Sequence, residues 1–140
     1  MKKVLSLIVL LFLASCTTEI PTTQFQEWGE YSFRLESRPP VVKEGMNEFL
    51  FVGNFKERFR AFDLIVSFRI GENGKWNQAI QDGHTGVYRR AMMVRDVNKD
   101  VLFVRVKQNK KKMMSEKPKE ETVFQFPLNY SSSPESKSGT

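Results

Sequence analysis

One cysteine and one histidine in 140 residues leave this chain short of the side chains that most metal and catalytic centres require. A lone Cys16 cannot close a disulfide within the chain or supply the thiolates of a structural zinc site. His84 is a single imidazole, and one imidazole does not build a zinc or blue-copper site unaided. Gly-x-Ser-x-Gly is absent, as is any glycine-rich loop of the kind that cradles phosphate. Long apolar runs are absent too. Val4 to Leu13, interrupted by Ser6, is too short for a bilayer-spanning helix, which needs roughly 20 residues. These shortages argue against an enzyme, and no catalytic residue, cofactor or metal is expected.

What is present begins with an address. Met1-Lys2-Lys3, the apolar stretch and the small residues Ala14-Ser15 have the order of a secretory signal peptide. Leu13-Ala14-Ser15-Cys16 resembles the bacterial lipoprotein box. That resemblance implies cleavage before Cys16, diacylglycerol on its thiol and a fatty acid such as palmitate on its new amino group. Several acyl chains together, at about 0.8 kcal/mol per buried methylene, make a stable anchor where one does not. Thr17 stands where an inner-membrane lipoprotein of enteric type more often carries aspartate. The resemblance therefore implies the periplasmic face of the outer membrane, with the inner membrane as the other location. Loss of residues 1–15 removes Lys2 and Lys3 and no acidic residue, so the formal charge falls from +6 to +4. In an exported protein this excess points to anionic lipid, cell-wall polymer or an acidic protein partner rather than nucleic acid.

The expected organisation is a signal peptide over 1–15, a lipidated polar tether over 16–27, one folded domain over 28–128 and a disordered tail over 129–140. Alternation by two dominates the folded part, the mark of half-buried strands. In "YSFRL", Tyr31, Phe33 and Leu35 share a face. In "FDLIVSFRI", Phe62, Leu64, Val66, Phe68 and Ile70 oppose Asp63, Ser67 and Arg69. Asn73-Gly74 signals a hairpin with positive φ at both residues, followed by a strand from Trp76 to about Ile80. "EFLFV" is apolar on both faces and fits a central strand. "VLFVRV" offers Leu102, Val104 and Val106, and "TVFQFPL" offers Phe124, Phe126 and Leu128, with Pro127 placing that strand on an edge or lying near its end. With "VYRRAMMVR" the count is about seven short strands, which predicts an all-β, antiparallel, immunoglobulin-like β-sandwich.

"RPPVVKEGMNEFLFV" and "GHTGVYRRAMMV" together resemble the FixH/YtkA-like domains, small extracytoplasmic modules of bacteria. The resemblance implies an immunoglobulin-like fold, and some members of that group are associated with copper handling or respiratory-oxidase assembly. The methionine- and histidine-rich metal segment that would support copper is missing here.

The candidate side chains concentrate in "KWNQAIQDGHTGVYRR", residues 75–90. His84 fits a turn residue between two glycines better than a metal ligand or a general base beside Asp82. Met92-Met93 and Met113-Met114 suit core filling better than Cu(I) ligation, since neighbours on a strand point to opposite faces. Lys110-Lys111-Lys112 fits either a solvated hairpin tip or a contact with an anionic surface. Trp76, Tyr88, Arg89 and Arg90 are of the types enriched at binding hot spots, so these four with Asp82 and His84 form the candidate partner-binding set. Trp76 as core and Tyr88 as a tyrosine corner is the competing account. One of Arg89 and Arg90 must face the core side, bonded to loop carbonyls or to a carboxylate such as Asp82. The expected function is a lipid-anchored, non-catalytic binding or assembly module in an envelope complex, with no small-molecule substrate. The alternative is a periplasmic copper metallochaperone.

Overall fold

The structure, a computed structural model, describes residues 24–112, 114 and 121–129. Cys16, Met113 and the expected tail beyond residue 129 lie outside them. Ten strands are present among the described residues: β1 (Gln24–Trp28), β2 (Tyr31–Arg38), β3 (Gly45–Phe55), β4 (Phe59–Arg60), β5 (Leu64–Ile70), β6 (Asn77–Gln78), β7 (Ile80–Gln81), β8 (Val87–Val94), β9 (Val101–Gln108) and β10 (Glu121–Pro127). They form two packed antiparallel sheets. The six-stranded sheet runs β1-β2-β3-β8-β7, with β4 against β3, and the four-stranded sheet runs β10-β9-β5-β6. The chain is an all-β sandwich. Among the described residues, seven strands have five or more residues and three have two.

Alternation places the core as expected. Tyr31, Phe33 and Leu35 of β2, Leu64, Val66 and Phe68 of β5, and Leu102, Val104 and Val106 of β9 all point between the sheets. From β10, Phe124 and Phe126 join them; β10 is an edge strand and Pro127 is its last residue. β3 is central, between β2 and β8, and is buried on both faces from Phe49 to Gly53. A seam of rings joins the sheets: Phe33 stacks on Phe51 at 4.7 Å, Phe124 lies 5.6 Å from Phe33, and Phe126 meets Phe51 edge-on at 6.2 Å. Such pairs add about 0.5–1.5 kcal/mol each beyond the area they bury.

Three local expectations change. β1 begins at Gln24, inside the segment read as tether, because "QFQEW" pairs with Tyr31 to Leu35 of β2. The hairpin after β5 turns with positive φ at Gly71, not at Asn73-Gly74. Gly74 is needed there for room, since a Cβ would come within 2.2 Å of the Ile70 carbonyl oxygen. The strand expected from Trp76 to Ile80 is divided. β6 pairs with β5 and β7 pairs with β8, so the chain changes sheets at Ala79.

Asp63, placed on the outward face by alternation, is fully buried. β5 begins only at Leu64, and the preceding loop turns the Asp63 side chain inward. Its Oδ2 accepts the Tyr31 hydroxyl at 2.6 Å and the Met114 amide at 2.9 Å. Its Oδ1 has no partner among the described residues. Gln108 Nε2 donates to the Tyr31 oxygen at 3.1 Å, and the Asp63 carbonyl accepts Asn109 N–H at 2.7 Å. Nearby, Tyr88 is buried; its hydroxyl donates to the Ala61 carbonyl at 2.8 Å and accepts Leu64 N–H at 3.2 Å. Two tyrosines thus hold the loop between β4 and β5 against the core.

Burial, followed for Tyr31 by the Asp63 hydrogen bond, pushes both phenols well above the ordinary tyrosine value of 10.0. Unfolded tyrosines ionise near pH 10 while these two keep their protons, so stability is full below about pH 10 and falls as pH rises above it. Tyr88→Phe leaves Leu64 N–H and the Ala61 carbonyl without this partner and should cost about 1–3 kcal/mol at neutral pH. The same variant should also flatten the alkaline fall, as denaturant midpoints between pH 8 and about pH 11 will report.

Candidate functional site

Strand pairing builds the site on the outward face of the four-stranded sheet. Residues opposite the core alternate outward, so β5 presents Ser67 and Arg69 while β9 presents Phe103, Arg105 and Lys107. The register sets Arg69 beside Phe103 and Ser67 beside Arg105. On the other side β6 sets Gln78 beside Ser67, and the same register continued brings Trp76 to Arg69.

The result is a ladder of alternating cations and rings. The Arg69 guanidinium carbon lies 4.8 Å from the centre of the Phe103 ring and 4.4 Å from Trp76. The Arg105 guanidinium carbon lies 4.5 Å from the centre of the same Trp76 ring. Each contact is worth about 0.5–2 kcal/mol according to its exposure. Phe103, although on the outer face, is only 6% exposed, with the Arg69 guanidinium over its ring. Arg69 Nε is shut away from water and has no hydrogen-bond partner among the described residues. Among the described residues neither arginine makes an ion pair, whereas Arg34 pairs with Glu36, Lys56 with Glu30, Arg89 with Glu48 and Lys107 with Glu121. Ring faces hold these guanidinia in place without neutralising them. A planar cation so held offers its terminal nitrogens to a carboxylate or phosphate, with Trp76 supplying apolar area beside it.

Beside the ladder, on the other side of β6, a groove of about 670 Å³ opens between the two sheets. Ile70 and Met92 supply apolar lining, and Lys75, Arg90 and Arg95 supply cations. Its carboxylate, Asp100, already accepts the backbone N–H of Arg95 at 2.8 Å and of Asp96 at 3.0 Å through Oδ2. The groove is therefore basic.

The structure divides the six candidate residues among three places. Trp76 stands in the ladder and Arg90 in the groove, where Arg90 Nη1 donates to the Gln78 carbonyl at 2.8 Å. This is the arginine on the core side of β8, and its acceptor is a carbonyl rather than Asp82. Arg89 points to the opposite face of the six-stranded sheet, 3.9 Å from Glu48. Tyr88 is a structural lock. Asp82 and His84 lie exposed in the turn between β7 and β8. Thr85 Oγ1 donates to the Asp82 carbonyl at 2.6 Å, and the His84 ring meets Phe62 edge-on at 5.0 Å. Lys110 to Lys112 are exposed in a turn after β9, where Lys112 N–H bonds to the Asn109 carbonyl at 2.9 Å.

Arg69 and Arg105 were not among the sequence candidates. Alternation already turned Arg69 outward, but the register that stacks it on Trp76 is a long-range property. No protein-family model matches the chain, and neither a curated protein nor a solved structure does.

The ladder lies outside the core, so it should be energetically secondary. Trp76→Ala should lower stability by about 1–2 kcal/mol, the loss of its cation–π contacts. Phe68→Ala, with a fully buried side chain, should cost about 3–5 kcal/mol. Denaturant midpoints of the two variants check the order.

Proposed function

We propose that this chain is a lipid-anchored, non-catalytic binding or assembly module of the bacterial envelope, held by acylated Cys16 at the periplasmic face of the outer membrane. The observation that carries the binding reading is Trp76 in cation–π contact with both Arg69 and Arg105, neither of which is paired with a carboxylate among the described residues. Tryptophan and arginine dominate binding hot spots because they bring large contact area and directed hydrogen bonds with little freedom left to lose. Position supports the same reading. β1 stands at the β10 edge of the sandwich and carries the chain back toward Cys16, while Trp76 and the groove stand at the β6 and β7 edge. Seven residues lie between Cys16 and Gln24, and the described chain enters the sandwich at the β1 edge, away from Trp76 and the groove.

The copper reading has one observation in its favour. Met93 does not pair with Met92, which lies on the opposite face, but the register sets Met46 directly across from it, and both are about half exposed. Two thioethers are a start for Cu(I), which prefers soft ligands. His84 cannot join them, because it precedes β8 while Met93 lies near the other end of that strand.

Two measurements test the main reading. Cys16→Ala should leave a slower-migrating precursor with no processed chain in the membrane fraction; normal cutting and membrane retention would refute the anchor. Arg105→Ala and Trp76→Ala should lose co-purifying envelope proteins while keeping most of their stability. Undiminished recovery with both variants would refute the binding surface.

A further inference from the structure

The groove has a backbone feature that its side chains do not reveal. Gly53 N–H donates to the Gly86 carbonyl at 2.8 Å, and Asp82 N–H donates to the Val87 carbonyl at 2.9 Å. Hydrogen bonding alternates along an antiparallel strand. Tyr88, Arg90, Met92 and Val94 therefore bond toward β3, whereas Val87, Arg89, Ala91 and Met93 aim N–H and C=O away from it. β7 meets Tyr88 and Arg89 and goes no further, because the preceding residues belong to the other sheet. Among the described residues, no strand pairs with Ala91 or Met93 on that side, and both line the groove.

We infer that this bare edge takes up an extended acidic segment of a partner protein, which adds to β8 as a further strand. The inference rests on the binding reading above and names the partner's chemistry. Main-chain bonds to Ala91 and Met93 would supply affinity, with alternate side chains entering the groove, as in other strand-addition complexes. Lys75, Arg90 and Arg95 set the sign of the charge, since Asp100 is already engaged with backbone N–H groups. Cations along an edge also deter pairing between like chains. A second copy, formally +6 over the whole chain, is accordingly the wrong occupant. The chain's own C-terminal stretch, with Glu135 balanced by Lys137, has no net charge to match.

The test is titration of the purified full chain with a fluorescein-labelled decapeptide alternating glutamate and valine, read by anisotropy. Two further probes accompany it: the same peptide with every backbone amide N-methylated, so that neither edge can donate, and a lysine–valine peptide. Saturable binding of the acidic peptide alone, weakening with salt, is expected. Met93→Pro removes one edge donor and leaves the β3 ladder intact, so it should weaken binding about tenfold while keeping the thermal midpoint. Lys75→Gln with Arg95→Gln should weaken binding to a similar degree and flatten its salt dependence. Equal binding of the N-methylated peptide would overturn strand addition, as would unchanged affinity in a folded Met93→Pro chain or no saturable binding at all. The N-methylated arm decides the matter even where a variant folds poorly. If the acidic peptide fails while Trp76→Ala still loses its envelope complex, strand addition falls and the binding reading stands. If recovery is also indifferent to Trp76 and Arg105, both fall.

Discussion

At Ala79 one stretch of chain is shared between two sheets, and the candidate surfaces follow from that division. Ala79 N–H donates to the Val66 carbonyl at 2.8 Å, which keeps the chain on β5 up to that point. One residue later Ile80 is paired with Arg89 in the other sheet. Ala79 is only 8% exposed, so the small side chain lies where the sheets approach. Arg90 reaches across to the Gln78 carbonyl and Gln81 Nε2 to the Phe62 carbonyl, at 2.8 Å and 2.6 Å, so the crossing is tied on both sides. Because β6 and β7 are each only two residues long, they cover only part of β5 and β8. The groove is the part left uncovered, and Trp76 projects outward just before it.

Two electrostatic environments result, with different physics. Inside, a buried polar cluster around Asp63 and two tyrosines fixes loop positions by hydrogen bonds that have no competition from water, which is why losing a partner there is expensive. Outside, Arg69 and Arg105 are held by ring faces. A carboxylate partner would neutralise them, whereas an aromatic ring restrains the guanidinium and leaves its charge. The surface is thereby both ordered and cationic, a combination that lowers the entropy cost of meeting an anionic group.

Much of the fold was legible in the sequence because alternation has a period of two and each strand carries its own record of it. Tyr31, Phe33 and Leu35, or Leu102, Val104 and Val106, declare their face with no knowledge of any partner strand. β3 was legible as central because both its faces are apolar. The site was legible only in part. Trp76 and Arg90 were identified by residue type, and both contribute to neighbouring surfaces. Tyr88, Arg89, Asp82 and His84 lie close to them along the chain, yet the sheet change at Ala79 and the alternation of β8 send them elsewhere.

The sequence alone determined the class of the fold, the inward faces of its main strands, and the expectation of a lipid anchor at Cys16. These are local matters, written in side-chain type and spacing. Only the tertiary structure decided which arginines meet Trp76, that Asp63 is buried beneath Tyr31, and that β8 keeps a bare edge. Each of those depends on the register between strands distant in the chain, such as Arg69 beside Phe103. Register is set by the best joint burial of both sheets, not by any one segment.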